Sequence, residues 1–336
     1  MTKPSQELFD KVINMINSKA DTSSVASKYI KKKLELYNLY FSTRYTQNMP
    51  YETVSFKRFG QYAEHEIANN LMFRFYYCLS SMFDNEKTDS LAQLWAILND
   101  GEQQNISKNE QRYIYKGIRN QLTLKVNAKA DIETNKELAF LYETLEKKDF
   151  LLHKNELSIF QYKQAIIANL RAGNERIEWA YQFMNRNKAF LNPVHQENVY
   201  QYCLAYYFFA KKEFETSLKQ LEQINEENIV IDKDSLYYIG HYHFLILQNY
   251  YELDKLDELL SYILSYKDSL KSNDILPSKI IKKHLNFVST LNNILKLRKG
   301  DQKKGKVYYE KVVETRDVYG RAWLLQKLNL KILLHF

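Results

Sequence analysis

Residues 198–225, NVYQYCLAYYFFAKKEFETSLKQLEQIN, decide the fold of this chain. Apolar residues recur at helical spacing on both sides of a compact polar break at Lys212 and Glu213, and this pattern predicts two amphipathic helices joined by a tight turn. Neither helix can bury its apolar face alone, so the segment predicts a helix pair that packs against further pairs.

The same pattern recurs along the second half of the chain. Compact turns follow one another at Gly173-Asn174, Lys212-Glu213, Asp254-Lys255 and Gly300-Asp301, and the spacings from residue 174 to 213, 255 and 301 are 39, 42 and 46 residues. Each turn lies between two amphipathic segments, and Pro193 and Pro277 fall between pairs, where a helix must stop. A regular period near 40 residues predicts an α-solenoid of stacked helix pairs.

The first third of the chain is also predicted to be helical. Two capping boxes, Ser90 with Gln93 and Ser107 with Glu110, predict helix starts, and a polar stretch at 100–109 separates them. We therefore predict an N-terminal helical region at 1–104 and a solenoid at 105–336.

Composition excludes several other classes of protein. Only 8 Gly and 4 Pro occur in 336 residues, which argues against an all-β fold and against most nucleotide-binding α/β folds, because turns and phosphate loops consume Gly. The two cysteines, Cys78 and Cys203, lie in apolar helical stretches and predict a reducing compartment. The sequence shows neither a secretory signal nor a run of 18 apolar residues, so we expect a soluble, cytoplasmic protein with no membrane partner.

Residues 198–225 resemble a tetratricopeptide repeat. The apolar, small and aromatic positions of that repeat match Leu204, Ala205 and Phe208 on the first helix and Phe214, Ser217, Leu221 and Ile224 on the second. The resemblance implies that the two helices approach most closely at Ala205 and Ser217. The next pair departs from the pattern, since Leu247 and Leu259 fill its small-residue positions.

A longer resemblance covers roughly residues 90–330. The motifs EWAYQF at 178–183, YYEL at 250–253 and WLLQKL at 323–328 occur in that order. The chain thereby resembles a set of tetratricopeptide-like helical repeat proteins that are common in Bacteroidetes. This resemblance implies a right-handed α-solenoid of antiparallel helix pairs, and it supplies no catalytic residues.

No motif in the sequence predicts an enzyme, a cofactor or a metal site. Residues 300–307, GDQKKGKV, nearly match a phosphate-binding loop, but Val307 replaces the hydroxyl that would hold magnesium, and a helix is predicted before the loop where a strand is needed. His241 and His243 are two residues apart, so on a helix they point in different directions and cannot share a metal ion. We therefore expect a non-catalytic protein.

Aromatic residues predict a partner-binding groove. In tetratricopeptide arrays the first helix of each pair lines a concave surface, and the resemblance places Tyr202, Tyr206, Phe209, Ala210, His241, Phe244, Gln248 and Tyr251 there. Rigid aromatic side chains favour binding of a peptide or protein. The alternative is that these rings only fill the core. If they line a groove, replacing Tyr206 and Tyr251 by Ala leaves thermal stability nearly unchanged.

A basic C-terminal end supports a second hypothesis. Residues 271–336 hold 15 Lys and Arg against 5 Asp and Glu, a net charge of +10, whereas residues 1–270 carry −2, so this fifth of the chain accounts for all of the excess positive charge. The candidate patch consists of Lys279, Lys282, Lys283, Lys296, Arg298, Lys299, Lys303, Lys304 and Lys306. Such a patch fits nucleic acid or an acidic protein surface. A third hypothesis is homo-oligomerisation, because residues 330–336 remain largely apolar.

Overall fold

A computed structural model describes Cys78 and residues 90–99, 107–129, 131–224, 239–273, 276–298, 304–315 and 318–333. Contacts divide the chain into two compact units, Met1–Leu122 and Thr123–Phe336. The boundary predicted at 104/105 and most of the predicted N-terminal region lie outside the described residues.

The described residues form twelve α-helices, which confirms the predicted all-α class. In chain order the helices are α1 (Ser90–Asn99), α2 (Lys108–Lys129), α3 (Ile132–Lys147), α4 (Ile159–Ala172), α5 (Ile177–Asn187), α6 (Pro193–Ala210), α7 (Phe214–Glu222), α8 (Ile239–Glu252), α9 (Leu256–Lys271), α10 (Ser278–Arg298), α11 (Gly305–Glu314) and α12 (Arg321–Leu333). The two prolines act as predicted, since α6 begins at Pro193 and α10 begins immediately after Pro277.

Helix starts follow from local sequence. The Asp131 carboxylate accepts a hydrogen bond from Thr134 N at 2.7 Å and caps α3. Ser158 caps α4 by accepting from Gln161 N at 3.3 Å, and Asn192 caps α6 just before Pro193. These side chains satisfy backbone N–H groups that have no partner within a helix, so these three helices begin where the sequence provides a cap.

Three helices end in the same kind of turn. After α3, α6 and α8 the chain enters the left-handed region, at Asp149 (φ 55°), Lys212 (φ 64°) and Asp254 (φ 58°). The following amide then donates back into the last turn, as Glu213 N does to Phe208 O and Lys255 N to Tyr250 O. These bonds satisfy helix C-terminal carbonyl groups without glycine.

The predicted turns are confirmed at three of their four positions. Gly173-Asn174 joins α4 to α5, Lys212-Glu213 joins α6 to α7, and Asp254-Lys255 joins α8 to α9. The fourth, at residues 300 and 301, lies outside the described residues.

The helices of the second unit pack in sequence. From α3 to α12 every helix contacts the next one along the chain. The even-numbered helices also contact one another, because α6 packs against both α4 and α8, and α12 packs against α10. Phe244 of α8 and Phe287 of α10 extend this series, with ring centroids 4.3 Å apart. The even-numbered helices α4 to α12 therefore form one row, which we call the even row.

Small residues hold α6 and α7 together as predicted. Ser217 is fully buried, and its Oγ donates a hydrogen bond to Ala205 O at 2.8 Å. Asn249 of α8 donates its Nδ2 to Ser217 Oγ at 3.0 Å, so one hydroxyl joins three helices. The large residues of the next pair, Leu247 and Leu259, are buried in the core.

Two of the motifs that carry the family resemblance pack against each other. Tyr251 of α8 lies edge-on to Trp323 of α12, with ring centroids 5.2 Å apart. Glu252 accepts hydrogen bonds from Trp323 Nε1 and Lys327 Nζ, both at 2.7 Å. Segments more than 70 residues apart in the chain are thereby joined by a half-buried ion pair.

Gly320 allows the backbone just before α12 to lie close to the Phe244 ring. Its φ is +60°, and a Cβ at this position would overlap the Phe244 ring. Gly320→Ala is expected to lower the free energy of unfolding by about 2–4 kcal/mol, since left-handed strain and overpacking of the core both oppose it. Urea unfolding followed by circular dichroism measures this loss.

A double-mutant cycle separates the two contributions to the Gly320 effect. Because Leu is shorter than Phe, Phe244→Leu combined with Gly320→Ala is expected to destabilise less than the sum of the single changes. Strict additivity would show that contact with Phe244 plays no part.

Candidate functional site

The structure divides the predicted groove residues into two groups. Tyr202, Phe244 and Tyr251 are buried, as is the neighbouring Gln248. The half-buried group consists of Tyr206, Phe209, Ala210 and His241. All lie on α6 and α8, in the even row. Tyr206, Phe209 and His241 are therefore the aromatic side chains of the predicted groove that reach the surface of these helices.

Tyr206 is paired with an arginine that sequence reasoning missed. Arg171 lies in the last turn of α4 and is exposed. Its Nε and Nη2 donate to the Tyr206 hydroxyl at 3.0 and 2.6 Å, and its guanidinium carbon lies 5.6 Å from the centroid of the same ring. The Tyr206 oxygen thus binds Nε and Nη2 together, the pair of donors with which arginine usually binds a carboxylate.

Tyr319 brings three basic side chains together at the other end of the surface. Its ring centroid lies 5.0 Å from that of His241 and 4.5 Å from that of His284. Lys283 Nζ lies 5.7 Å from the same ring. Tyr319 precedes α12, whereas the basic groups come from α8 and α10, so this cluster exists only in the folded chain.

His241 lies where the basic groups of the even row meet. Burial lowers the pKa of His241 well below its ordinary value, and the basic groups of Lys163, His284, Arg171 and Lys283 lower it further. The side chain is nevertheless only half-buried. His241 is therefore neutral at physiological pH, although the cationic side chains of Arg171 and Lys283 lie near it.

Lys163 adds a second unusual basic group. It is 2% exposed on α4, and burial lowers its pKa to about 7. Cys203 of α6 lies beside it, and burial raises the pKa of that thiol. A thiol of raised pKa is protonated at neutral pH, so Cys203 is not an activated nucleophile here.

Two histidine–tyrosine pairs, one buried and one half-buried, lie next to this surface. The Tyr266 hydroxyl lies 2.8 Å from His284 Nδ1, and the Tyr262 hydroxyl lies 2.7 Å from His243 Nδ1. The rings of His243 and Tyr266 are 4.5 Å apart. His241 and His243 thus point into different neighbourhoods, as their spacing predicts.

Charge differs between the even row and the odd-numbered helices. Helices α4, α6, α8, α10 and α12 carry ten Lys and Arg but only two acids, Glu197 and Glu252. Helices α3, α5, α7, α9 and α11 carry eight Lys and Arg and twelve Asp and Glu. Both acids of the even row are already paired, Glu197 with Lys188 and Glu252 with Lys327. A charge count helix by helix would have revealed this asymmetry from sequence.

The predicted C-terminal basic patch is only partly described. The exposed side chains are Lys282 and Lys296 on α10, Lys306 on α11, and Lys304 just before it. Lys283 is half-buried against Tyr319. The side chains of Lys279, Arg298, Lys299 and Lys303 lie outside the described residues.

Two kinds of feature are absent from the described ranges. No group of three or more His, Cys, Asp or Glu side chains in those ranges could hold a metal ion. Among the same residues, no helix combines the length and apolarity that crossing a membrane requires.

Comparisons with known proteins return nothing. No protein-family model, no curated protein and no solved structure matches the chain. The structure establishes an all-helical protein whose helix pairs pack in sequence.

Proposed function

We propose that this protein is a non-catalytic scaffold that binds a peptide or protein segment along the even row. The observation that carries the proposal is that four helices and the turn before α12 bring together half-buried or exposed aromatic and basic side chains, namely Arg171, Tyr206, His241, Lys283 and Tyr319. Aromatic rings and arginine dominate the energetics of protein recognition. A surface that combines aromatic rings and arginine favours binding of a partner over catalysis.

The finer architecture belongs to the same proposal. We propose that α4/α5, α6/α7, α8/α9 and α10/α11 are tetratricopeptide-like pairs of a right-handed α-solenoid. Three features support it: contacts of α6 with α4 and α8, the repeated left-handed turn, and the small-residue contact between Ala205 and Ser217. In such an array the first helices of the pairs share one binding face.

Selection from a displayed library of random peptides, about 12 residues long, tests the function. The full-length protein is expected to enrich a family of peptides that bind it with about micromolar affinity by fluorescence anisotropy. The double variant Tyr206→Ala/Phe209→Ala is expected to bind them about tenfold more weakly, because it removes two aromatic contacts of the surface.

A matched control is available on the odd-numbered helices. Phe140 on α3 is 51% exposed, so Phe140→Ala removes an aromatic ring of similar size away from the even row. This variant is expected to bind the peptides as the wild type does. Failure to enrich any peptide, or equal losses in both variants, would contradict the proposal.

The exposed lysines Lys282, Lys296, Lys304 and Lys306 favour a second candidate, nucleic-acid or acidic-partner binding at the C-terminal patch. A mixed pool of labelled DNA and RNA tests its nucleic-acid form by electrophoretic mobility at low salt, where phosphate contacts are strongest. A shift that is lost when these lysines are replaced by Gln would favour this candidate over peptide binding.

A further inference from the structure

The even row combines a strong excess of basic residues with a shortage of acids. Its five helices carry ten Lys and Arg against two acids, and both of those acids are paired within the protein. On this row Arg171 is exposed and Lys283 is half-buried. A partner that approaches the row therefore meets positive charge, and charge complementarity favours a negatively charged partner.

We propose that the even row binds an internal segment of a partner protein that carries several Asp or Glu side chains, an inference that rests on the proposed function. The partner's carboxylates pair with Arg171 at one end and with Lys283 at the other, and its backbone crosses α6 and α8 between them.

The arrangement of the basic groups indicates several carboxylates rather than one. Arg171 is on α4 and Lys283 is on α10, and the positive charges of both lower the pKa of His241 on α8. The two cations are thus held by different helices around α6 and α8, and each can pair with a carboxylate of its own. An extended segment that carries several Asp or Glu side chains supplies both carboxylates.

The Tyr206 hydroxyl marks the site for one of these carboxylates. It accepts from both Nε and Nη2 of Arg171, the edge that arginine offers to a carboxylate in a bidentate pair. The pairing keeps the guanidinium oriented in the free protein. When a partner binds, its carboxylate replaces the neutral Tyr206 hydroxyl as the acceptor for Arg171. Hydrogen bonds between two charged groups are stronger than those to a neutral acceptor, so this exchange favours binding.

The aromatic rings favour a peptide over a nucleic acid. Single-stranded nucleic acids bind aromatic side chains mainly through stacking of bases on exposed ring faces. Here Tyr319 packs against His241, His284 and Lys283, and the Tyr206 hydroxyl accepts hydrogen bonds from Arg171. The cationic groups on these rings, Arg171 and Lys283, suit carboxylates.

The composition of the selected peptides tests the inference. Peptides displayed on a phage coat protein have no free carboxyl terminus, so any carboxylate they present is a side chain. The enriched peptides are expected to contain about twice as much Asp and Glu as the unselected library. A synthetic copy of an enriched peptide is expected to bind equally well with a free or an amidated C-terminus. The same peptide with every Asp replaced by Asn and every Glu by Gln is expected to bind about tenfold more weakly.

Variants of the protein test which of its residues bind the acidic peptide. Arg171→Gln/Lys283→Gln is expected to weaken binding of the acidic peptide about tenfold and to reduce its salt dependence, because it removes two of the cations that attract the peptide. Lys267→Gln, at an exposed position on α9, removes one positive charge outside the even row and is expected to have no effect. Equal melting temperatures of the three proteins establish that all are folded.

The outcomes distinguish this inference from the function on which it rests. Enriched peptides that are neutral, or that bind equally well as their Asn/Gln counterparts, would overturn the inference and leave peptide binding in place. Selection of no peptide would overturn both. A pool of labelled single-stranded DNA can be tested for displacement of the peptide. If the DNA displaces it, and if DNA binding is lost in Arg171→Gln/Lys283→Gln, the inference is overturned in favour of nucleic-acid binding.

Discussion

Acidification is expected to destabilise this protein through His284, which is 1% exposed. Burial, together with the basic groups of His243 and Lys283, lowers its pKa from 6.5 to about 3. Below pH 6.5 the unfolded chain binds a proton that the folded protein does not, so the free energy of unfolding falls by up to about 1.4 kcal/mol per pH unit. The effect continues down to about pH 3, and His284 alone accounts for roughly 3 kcal/mol at pH 4.

The surroundings of His284 explain why it resists protonation. Its Nδ1 lies 2.8 Å from the Tyr266 hydroxyl, whereas its Nε2 is buried without a hydrogen-bond partner and faces Gly240. A proton on Nε2 would create a buried charge and a donor without an acceptor, which is unfavourable on both counts.

Urea unfolding at pH 7 and pH 4 measures the effect of His284. His284→Gln is expected to be less stable at pH 7 and to lose less stability on acidification, because it cannot take up the proton. Comparison with the wild type removes the contribution of the carboxylates that both proteins share. His153→Gln alters an exposed histidine and is expected to retain the wild-type pH dependence. The same pH dependence in His284→Gln as in the wild type would contradict the prediction.

Tyr251→Ala is expected to lower the free energy of unfolding by about 3–5 kcal/mol, as removal of other core aromatic side chains does. Tyr251 is 3% exposed and lies against Trp323 in a cluster that includes Phe287 and Leu291. Truncation leaves a cavity between α8 and α12 and removes support from the Glu252–Lys327 ion pair.

Tyr206 provides the matched comparison for Tyr251. It is half-buried, and its hydroxyl bonds to an exposed arginine, so Tyr206→Ala is expected to cost only about 1 kcal/mol. Chemical denaturation of the two variants and the wild type measures both changes. A loss at Tyr206 equal to that at Tyr251 would show that Tyr206 belongs to the core and would remove it from the proposed binding surface.

Much of the fold could be predicted from short stretches of sequence. Helix periodicity and the polar breaks after Ala210 and Glu252 depend on residues within one or two turns of each other, and the structure has helices and turns where those patterns place them. The left-handed turn residues Asp149, Lys212 and Asp254 were harder to predict, because glycine is the usual residue for that conformation.

The candidate site was less predictable than the fold. Sequence reasoning selected Tyr202, Phe244 and Tyr251 together with Tyr206, because all of them lie on the first helices of their pairs. Helical spacing gives the face of a residue on its own helix but not how deeply neighbouring helices cover that face. Contacts from α10 and α12 bury Phe244 and Tyr251, and these contacts come from segments more than 40 residues away.

The sequence by itself determined an all-helical chain of amphipathic pairs, because helix periodicity, caps and turns are local properties. It also indicated a net charge of +8 concentrated near the C-terminus. Only the tertiary structure decided which charges act together. Alternate helices contact one another, so Arg171 and Lys283 share one basic row although they are distant in the chain. Electrostatic attraction depends on distance in space, and packing alone sets that distance.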